Sequence, residues 1–189
     1  MIIVNLTKAD RFAIAQHLTG LSLEDRHLRF FSALSDYAIN TYVDKLDFYK
    51  DRCFGVFDDT QHLVAFIHIS MIEKLGSAKQ VDIGISVNKA HRGKGIAKAL
   101  INRAIGFCKA LNISLIYMCC LRENKTMQHI ARSAGLKVSV DADEAYAELE
   151  LKQNLFEHAT AAVTELQITI MDKIFRYNAD MSKMLGLTA

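Results

Sequence analysis

The spacing of hydrophobic and polar positions changes several times along this chain, and each change marks an element. A short β-branched run, Ile2 to Leu6, predicts an opening strand. Thr7 with Asp10 three residues later is a capping-box-like start for a helix through about His17. Ser22 with Asp25 repeats that signal ahead of LEDRHLRFF. Ser35 precedes DYAINTYVDKL, in which Tyr42, Val43 and Leu46 fall at helical spacing. The first part of the chain is therefore mainly helical.

The period then shortens. CFGVF and LVAFIHI flank Asp58-Asp59-Thr60-Gln61 and read as two strands joined in a hairpin. A third strand, Val81 to Val87, follows a loop around Gly76. From Gly95 the residues Ile96, Ala97, Leu100, Ile101, Ala104, Ile105 and Cys108 mark one face of a helix, and Ser114 to Leu121 is a strand of the fully buried type. Strand, crossover helix and strand make one unit. Asn124 caps a further helix through Ala134, with Gly135 where a left-handed residue is wanted. Lys137 to Val140 and Ala145 to Leu151 form a last hairpin across DADE. The fold class is α/β with a mixed sheet.

Beyond Leu151 one apolar stripe runs through Leu155, Ala159, Ala162, Val163, Leu166, Ile170, Ile174, Tyr177, Met181 and Leu185. An unbroken helix of roughly thirty residues spans about 45 Å, longer than a domain of this size is wide. The expectation is a domain from residue 1 to 151, a helical extension from 152 to 189, and a homodimer formed through that extension. Met and Leu in the stripe read as packing residues, not as a ligand site.

Composition narrows the function classes. With 51% apolar and 23% charged residues, the 189-residue chain reads as globular, with one core, and not as disordered. A net charge of +2, with Lys and Arg interleaved with acids, argues against a nucleic-acid surface. The N-terminus lacks the basic start and apolar run of a secretory signal, and no segment reaches bilayer length without charges, so a cytoplasmic location is expected and a membrane partner is not. Cys53, Cys108, Cys119 and Cys120 have no CxxC spacing and read as reduced core thiols; no cluster has metal-ligand spacing. Proline is absent, which leaves glycine and polar clusters to mark the loops.

The chemically informative stretch is VDIGISVNKAHRGKGIAKALINRAIGFC, a buried strand, a basic glycine loop and a helix opening on Gly95. Free N–H groups at a helix start, with the positive end of its dipole, form an anion site suited to a pyrophosphate. Gly93 and Gly95 let the backbone approach phosphates, and Arg92 and Lys94 add charge. A Walker A loop is excluded because Lys94 is followed by Gly95, not Ser or Thr. A dinucleotide fingerprint is excluded because Lys98 stands at its third glycine position.

Arg92-x-x-Gly95-x-Ala97 after an apolar strand resembles the R/Q-x-x-G-x-G/A signature of GNAT N-acetyltransferases. Asn124 after the next strand, then Met127, Ile130-Ala131-Arg132 and Gly135-Leu136, is similar to that family's N-x-x-M/A helix ending in G-F or G-L. LSLEDRHLRFF resembles a helix in the acetyltransferase domains of bacterial protein-lysine acetyltransferases. The likeness runs from about Leu18 to Leu151. It implies a GNAT-type mixed, mainly antiparallel sheet flanked by helices, splayed between Val81–Val87 and Ser114–Leu121, with a long C-terminal helix outside the likeness. It also implies acetyl-CoA as acetyl donor and no metal. The pyrophosphate would lie on Arg92, Gly93, Lys94, Gly95, Ile96 and Ala97, and the pantetheine arm would pair with backbone near Ile85 and Val87 and reach Asn124.

The implied activity is acetyl transfer to a primary amine, a protein lysine or a small amine, by direct attack. A lysine-like ammonium, with its pKa near 10.4, must first lose a proton. Asp82, the only acid in VDIGISV, stands where the lysine-acetyltransferase relatives place a Glu, and is the candidate base, against the simpler reading of a solvated strand-end carboxylate. Many relatives carry a Tyr acid after the Asn; here Ala131 or Arg132 stands near that place, and Ser133, Cys119 and Tyr117 remain unranked substitutes. His68 reads as a hydrogen-bonded sheet residue and His91 as a solvated loop residue. The missing Tyr and the Asp keep one rival open: a non-catalytic acyl-CoA-binding regulatory module.

Overall fold

The computed structural model describes residues 1–72, 79–152 and 155–184; the loop around Gly76 and the last stripe position, Leu185, lie outside the described residues. Each serine signal opens a helix. Ser22 Oγ accepts the Asp25 N–H at 3.1 Å to start α2 (Leu23–Phe30), after α1 (Arg11–Thr19), and Ser35 Oγ accepts the Ala38 N–H at 3.2 Å to start α3 (Asp36–Asp44). At Thr7 the outcome differs from the expectation. The Asp10 carboxylate accepts the Thr7 N–H at 2.7 Å around a single 3₁₀ turn, Lys8–Asp10, and the α-helix begins only at Arg11.

Seven strands form one sheet. They are β1 (Val4–Leu6), β2 (Arg52–Phe57), β3 (Leu63–Ile72), β4 (Gln80–Val87), β5 (Leu115–Leu121), β6 (Lys137–Asp141) and β7 (Glu144–Glu150), in the order β1-β2-β3-β4-β5-β7-β6. Five of its neighbouring pairs are antiparallel and only β4–β5 is parallel, because α4 (Ile96–Ala110) crosses over between them. The helix after Asn124 is α5 (Lys125–Ser133), and Gly135 beyond its end has φ 93°, the left-handed conformation expected there.

Alternation along the strands sorts side chains into two layers. Ile67, Ile69, Val81, Ile83, Ile85, Ile116 and Met118 meet Ile96, Leu100, Ile101, Ala104 and Cys108 of α4. The opposite face meets α1 and α3 through Ile14, Leu18, Ile39 and Val43, which pack with Leu6, Cys53 and Phe66. On that second face β4 presents Asp82, Gly84 and Ser86. The four cysteines are free, three of them buried; Cys119 is half-buried, so only it departs from the core-thiol expectation.

The C-terminal helix α6 (Leu155–Met184) folds back on its own domain. Arg103 of α4 grips Glu165 through two hydrogen bonds of 2.6 and 2.8 Å, and the Asn5 N–H of β1 donates to Asp172 at 3.1 Å. The domain thus supplies part of the cover the stripe was expected to need. Its outer side still exposes Val163, Leu166, Ile170, Ile174 and Tyr177. No helix among the described residues is long and apolar enough to cross a membrane.

His17 in α1 is a buried imidazole, 3% exposed. Its Nδ1 lies 3.0 Å from the Leu63 carbonyl, which only accepts, so Nδ1 carries the proton and Nε2 accepts from Ser86 Oγ at 2.8 Å. Burial lowers its pKa to about 4, against the Leu63 bond, which raises it. A histidine held neutral stabilises the fold fully above its unfolded pKa near 6.5, and that contribution is lost as pH falls through about 4. Denaturant titrations should show stability dropping over this window with a slope of up to about 1.4 kcal/mol per pH unit. In His17→Asn the curve should be flatter there; an unchanged slope would move the acid sensitivity to other groups.

Candidate active site

The β4–β5 junction builds the site. The two strands share only three rungs, Gln80–Leu115, Val81–Ile116 and Asp82–Tyr117. Beyond Asp82 they part: β4 stays registered with β3 as far as Val87, and β5 with β7 as far as Leu121. From Ile83 onward the β5-side backbone groups of β4 therefore have no strand partner, which leaves a wedge able to take an extended, amide-bearing chain. Ile85 and Val87 lie on this unpaired stretch of β4. The Val87 carbonyl, however, already accepts from Arg92 Nε at 3.0 Å, so Val87 retains less capacity for a ligand than the sequence implied.

At the wide end of the wedge stands the N-terminus of α4. Gly93 and Gly95 both have φ 75°, and a Cβ built on either would meet nothing within 4 Å. The loop is thus an open concavity in a conformation that favours glycine. Among the described residues no backbone acceptor takes the N–H groups from Gly93 through Lys98, whereas Ala99 bonds to the Gly95 carbonyl. Ile96 is buried and anchors the first turn, Ala97 is half-buried beside it, and Lys94 is exposed. Free N–H groups at the start of a fifteen-residue helix are the arrangement that favours an anion. Arg92 is less free than expected: besides Val87 it binds Asp25 of α2, Nη2 to Oδ1 at 2.7 Å, so it braces the loop while adding charge.

At the narrow end is Asp82, on the last shared rung. Burial pushes its carboxyl above the usual range, and the Arg29 guanidinium pulls it partly back. Asn124 caps α5 by accepting the Met127 N–H at 3.0 Å. Its Oδ1 is committed to that bond, and only the amide NH₂ is left to reach an arm in the wedge.

Residues 21–136, more than half of the chain, match the family described as acetyltransferase (GNAT) family. The chain belongs to the GNAT acetyltransferase family. Solved structures agree in fold. The GNAT domain of S. lividans PAT is 19% identical with a TM-score of 0.68, over 79% of this chain and 89% of that one. Spermidine N-acetyltransferase from Vibrio cholerae, in complex with CoA and spermine, is 20% identical with a TM-score of 0.63, over 79% and 94%. The ribosomal-protein-S5-alanine acetyltransferase from Vibrio fischeri is 16% identical with a TM-score of 0.60, over 78% and 91%. The GNAT family uses acetyl-CoA, and the open glycine cradle and the unpaired edge of β4 fit such a group.

Other polar groups share the Asp82 face of this GNAT sheet; the sequence named Tyr117, Cys119 and His68 but missed Tyr146, Glu144 and Asp51. Tyr117 and Tyr146 lie with ring centroids 6.0 Å apart, and Glu144 accepts from the Tyr146 hydroxyl and from Cys119 Sγ, the latter at 3.6 Å. On the β3 side, Asp51 Oδ2 lies 3.1 Å from His68 Nε2, and His68 Nδ1 lies 2.8 Å from the Tyr42 hydroxyl. His68 is thus the hydrogen-bonded sheet residue it was expected to be. His91 departs from expectation: it is half-buried, and among the described residues its shielded Nδ1 has no hydrogen-bond partner. Among the described residues no group of three or more His, Cys, Asp or Glu is arranged to hold a metal.

Gly95→Val tests the cradle. A β-branched residue at φ 75° is strained whatever the space around it, and its side chain would stand in the concavity. Calorimetry should show acetyl-CoA affinity lowered by on the order of 10-fold or more, a cost of 1.4 kcal/mol or above. Parental affinity in this variant would rule out phosphate binding at the loop.

Proposed function

We propose that this chain moves an acetyl group from acetyl-CoA to a primary amine, a protein lysine or a small amine, by direct attack. The observation that carries the reading is the position of Asp82. It lies on the last rung before β4 and β5 part, so the one acid of β4 stands at the closed end of a wedge whose open end is the anion cradle. Acetyl-CoA bound there supplies the thioester. Arg92, Gly93, Lys94, Gly95, Ile96 and Ala97 hold its pyrophosphate, and the free edge of β4 near Ile85 and Val87 aligns its arm with help from Asn124.

Asp82 takes the proton from the acceptor ammonium, directly or through one water, since Asp is one methylene shorter than the Glu of the relatives this chain resembles. Its raised pKa brings it closer to that of the amine. The acceptor side favours a cationic amine. Tyr117 and Tyr146 offer aromatic faces, and the Tyr117 pKa, raised first by burial, is raised further by the nearby Cys119, Asp82, Glu148 and Glu144. The likeness of LSLEDRHLRFF to protein-lysine acetyltransferases favours a lysine over a small amine.

The outer side of α6 gives the assembly. Val163, Leu166, Ile170, Ile174 and Tyr177 recur every three or four residues along an exposed face, and a second copy of α6 lying antiparallel would cover it by two-fold symmetry. The protein is then a homodimer through its C-terminal helix.

Sedimentation at micromolar concentration should give a dimer for the full chain. Leu166→Glu with Ile170→Glu, or deletion after Lys152, should give monomers or, for the deletion, insoluble protein. A parental chain that sediments as a monomer would leave α6 purely as a brace on its own domain.

Asp82→Asn should keep cofactor affinity and lower turnover of amine by on the order of 10²-fold or more, while Asp82→Glu retains activity. Because the carboxyl lies above the usual range, the acid limb of kcat/KM should lie above about 3.9 and activity should fall as pH falls through it. Product mass spectrometry with lysine peptides and small amines reads the same experiment. Unchanged turnover in Asp82→Asn would assign the proton to solvent. Binding of acetyl-CoA with no CoA released to any amine would favour the regulatory module instead.

A further inference from the structure

The helix α2 carries an arginine that the cofactor loop does not use. Arg29 extends across Gly84 of β4: a Cβ built on Gly84 would lie 2.1 Å from its Nη2 and 2.3 Å from its Cζ. Those distances are far inside contact, so the guanidinium occupies the place where a side chain at position 84 would stand. Only glycine permits this. In a strand, residues two apart share a face and lie about 6.6 Å from each other, which sets the cation one step along β4 from Asp82.

The arginine is held where it is. Its guanidinium packs over the Phe30 ring at 4.9 Å and stands close enough to the Tyr42 hydroxyl to act on it electrostatically. Tyr42 bonds His68, which faces Gly84 in the β3–β4 register, and His68 bonds Asp51, whose other oxygen accepts the Met71 N–H at 3.2 Å. Among the described residues no carboxylate lies within ion-pair distance of Arg29, and its Nε is shielded without a partner. The charge is therefore not neutralised by contact, and it acts through space on what surrounds it. Those groups are Asp82 on β4, His68 on β3, Tyr42 on α3, Cys53 on β2 and His17 on α1; Tyr117 and Cys119 of β5 face Asp82 from its other side.

We propose that Arg29 is the positioning residue of the proton-transfer step: laid across Gly84 and braced by the Tyr42–His68–Asp51 chain, it is a fixed cation that holds the Asp82 carboxylate ionised in a half-buried site. Asp82 would otherwise be driven towards its neutral form by burial, and a neutral carboxyl takes no proton from an amine. The role assigned to Arg29 rests on the reading of Asp82 as base, but its effect on Asp82 is measurable without turnover.

The test is a ¹³C-carboxyl NMR titration of Asp82 in the full-length parent, Arg29→Gln, Arg29→Lys and Gly84→Ala. Removing a unit charge at this distance should raise the Asp82 midpoint by about one pH unit. Gly84→Ala keeps the arginine but displaces it, and should raise the midpoint in the same direction; Arg29→Lys should restore part of the parental value. The acid limb of kcat/KM should move with the midpoint, so that the activity ratio of Arg29→Gln to parent falls from pH 8 towards acid pH, by up to about tenfold below both midpoints. If Arg29→Gln does not fold, Gly84→Ala decides the matter. An Asp82 midpoint unchanged in the folded variants overturns the proposal. Asp82→Asn run alongside separates the two readings: full turnover there removes Asp82 as base, while the titration still reports what Arg29 does to it.

Discussion

Everything in this site depends on β4 and β5 being partners for only three rungs. A parallel pair that remained paired to its ends would satisfy the backbone of β4 on both edges and leave nothing for a ligand to bind. The divergence is enforced from outside the pair, since β4 is registered with β3 over its whole length and β5 with β7 over its whole length. Each strand follows the twist of its antiparallel neighbour, and the crossover helix α4 fills the gap on one face with Ile96, Leu100 and Ile101. The cost of the unpaired edge of β4 is borne by the folded chain until an amide-bearing ligand satisfies it.

The helix α2 ties the parts of the wedge together. It has only eight residues, yet three of them point to three different elements. Asp25 holds Arg92 and thereby braces the glycine loop. Arg26 turns inward and donates to the Leu21, Leu34 and Thr19 carbonyls while pairing with Asp36 at 2.7 Å, which closes the loop between α2 and α3. Arg29 reaches β4. The motif LSLEDRHLRFF is thus a bracket linking the loop at one end of the wedge to the acid at the other. That explains in physical terms why a polar, charge-rich helix accompanies this glycine loop.

Local signals were enough to locate most of the fold. Ser22 and Ser35 named their helices, Gly93 and Gly95 adopted the left-handed conformation their loop required, and Asp82 was found as the one acid in its strand. What stayed hidden was long-range pairing between side chains. Nothing in the letters around Arg92 reveals Asp25, and nothing around Arg103 reveals Glu165, sixty-two positions away, although that pair decides that α6 lies on its own domain. Arg29 was within a quoted motif, but its use depends on a glycine in a strand on the far side of the sequence. The turn at Thr7 failed for a local reason: the capping residues were read correctly, and the turn they close is 3₁₀, with α1 starting one residue beyond Asp10.

The same charge layout bears on which group protonates the departing sulfur. Of the substitutes for the absent Tyr, Ser133 is exposed on α5 and donates to the Ile130 carbonyl at 2.8 Å. Cys119 has its thiol pushed up to about 12 by burial and by Glu144. Proton transfer from such a thiol to a thiolate of ordinary basicity, near 8.5, is uphill by about three orders of magnitude in equilibrium. Tyr146 is likewise raised to about 12, first by its bond to Glu144. Tyr117, which faces Asp82 across the last rung, is raised too, so the β5–β7 side of the site is populated by weak acids. Such groups serve better as hydrogen-bond donors, or as aromatic walls for a cationic acceptor, than as proton donors. In the proposed reaction the task therefore falls to solvent, or to the proton Asp82 has just taken. That second route needs the Asp82 carboxyl to be a stronger acid than the thiol it serves, an ordering that burial works against and the nearby Arg29 favours.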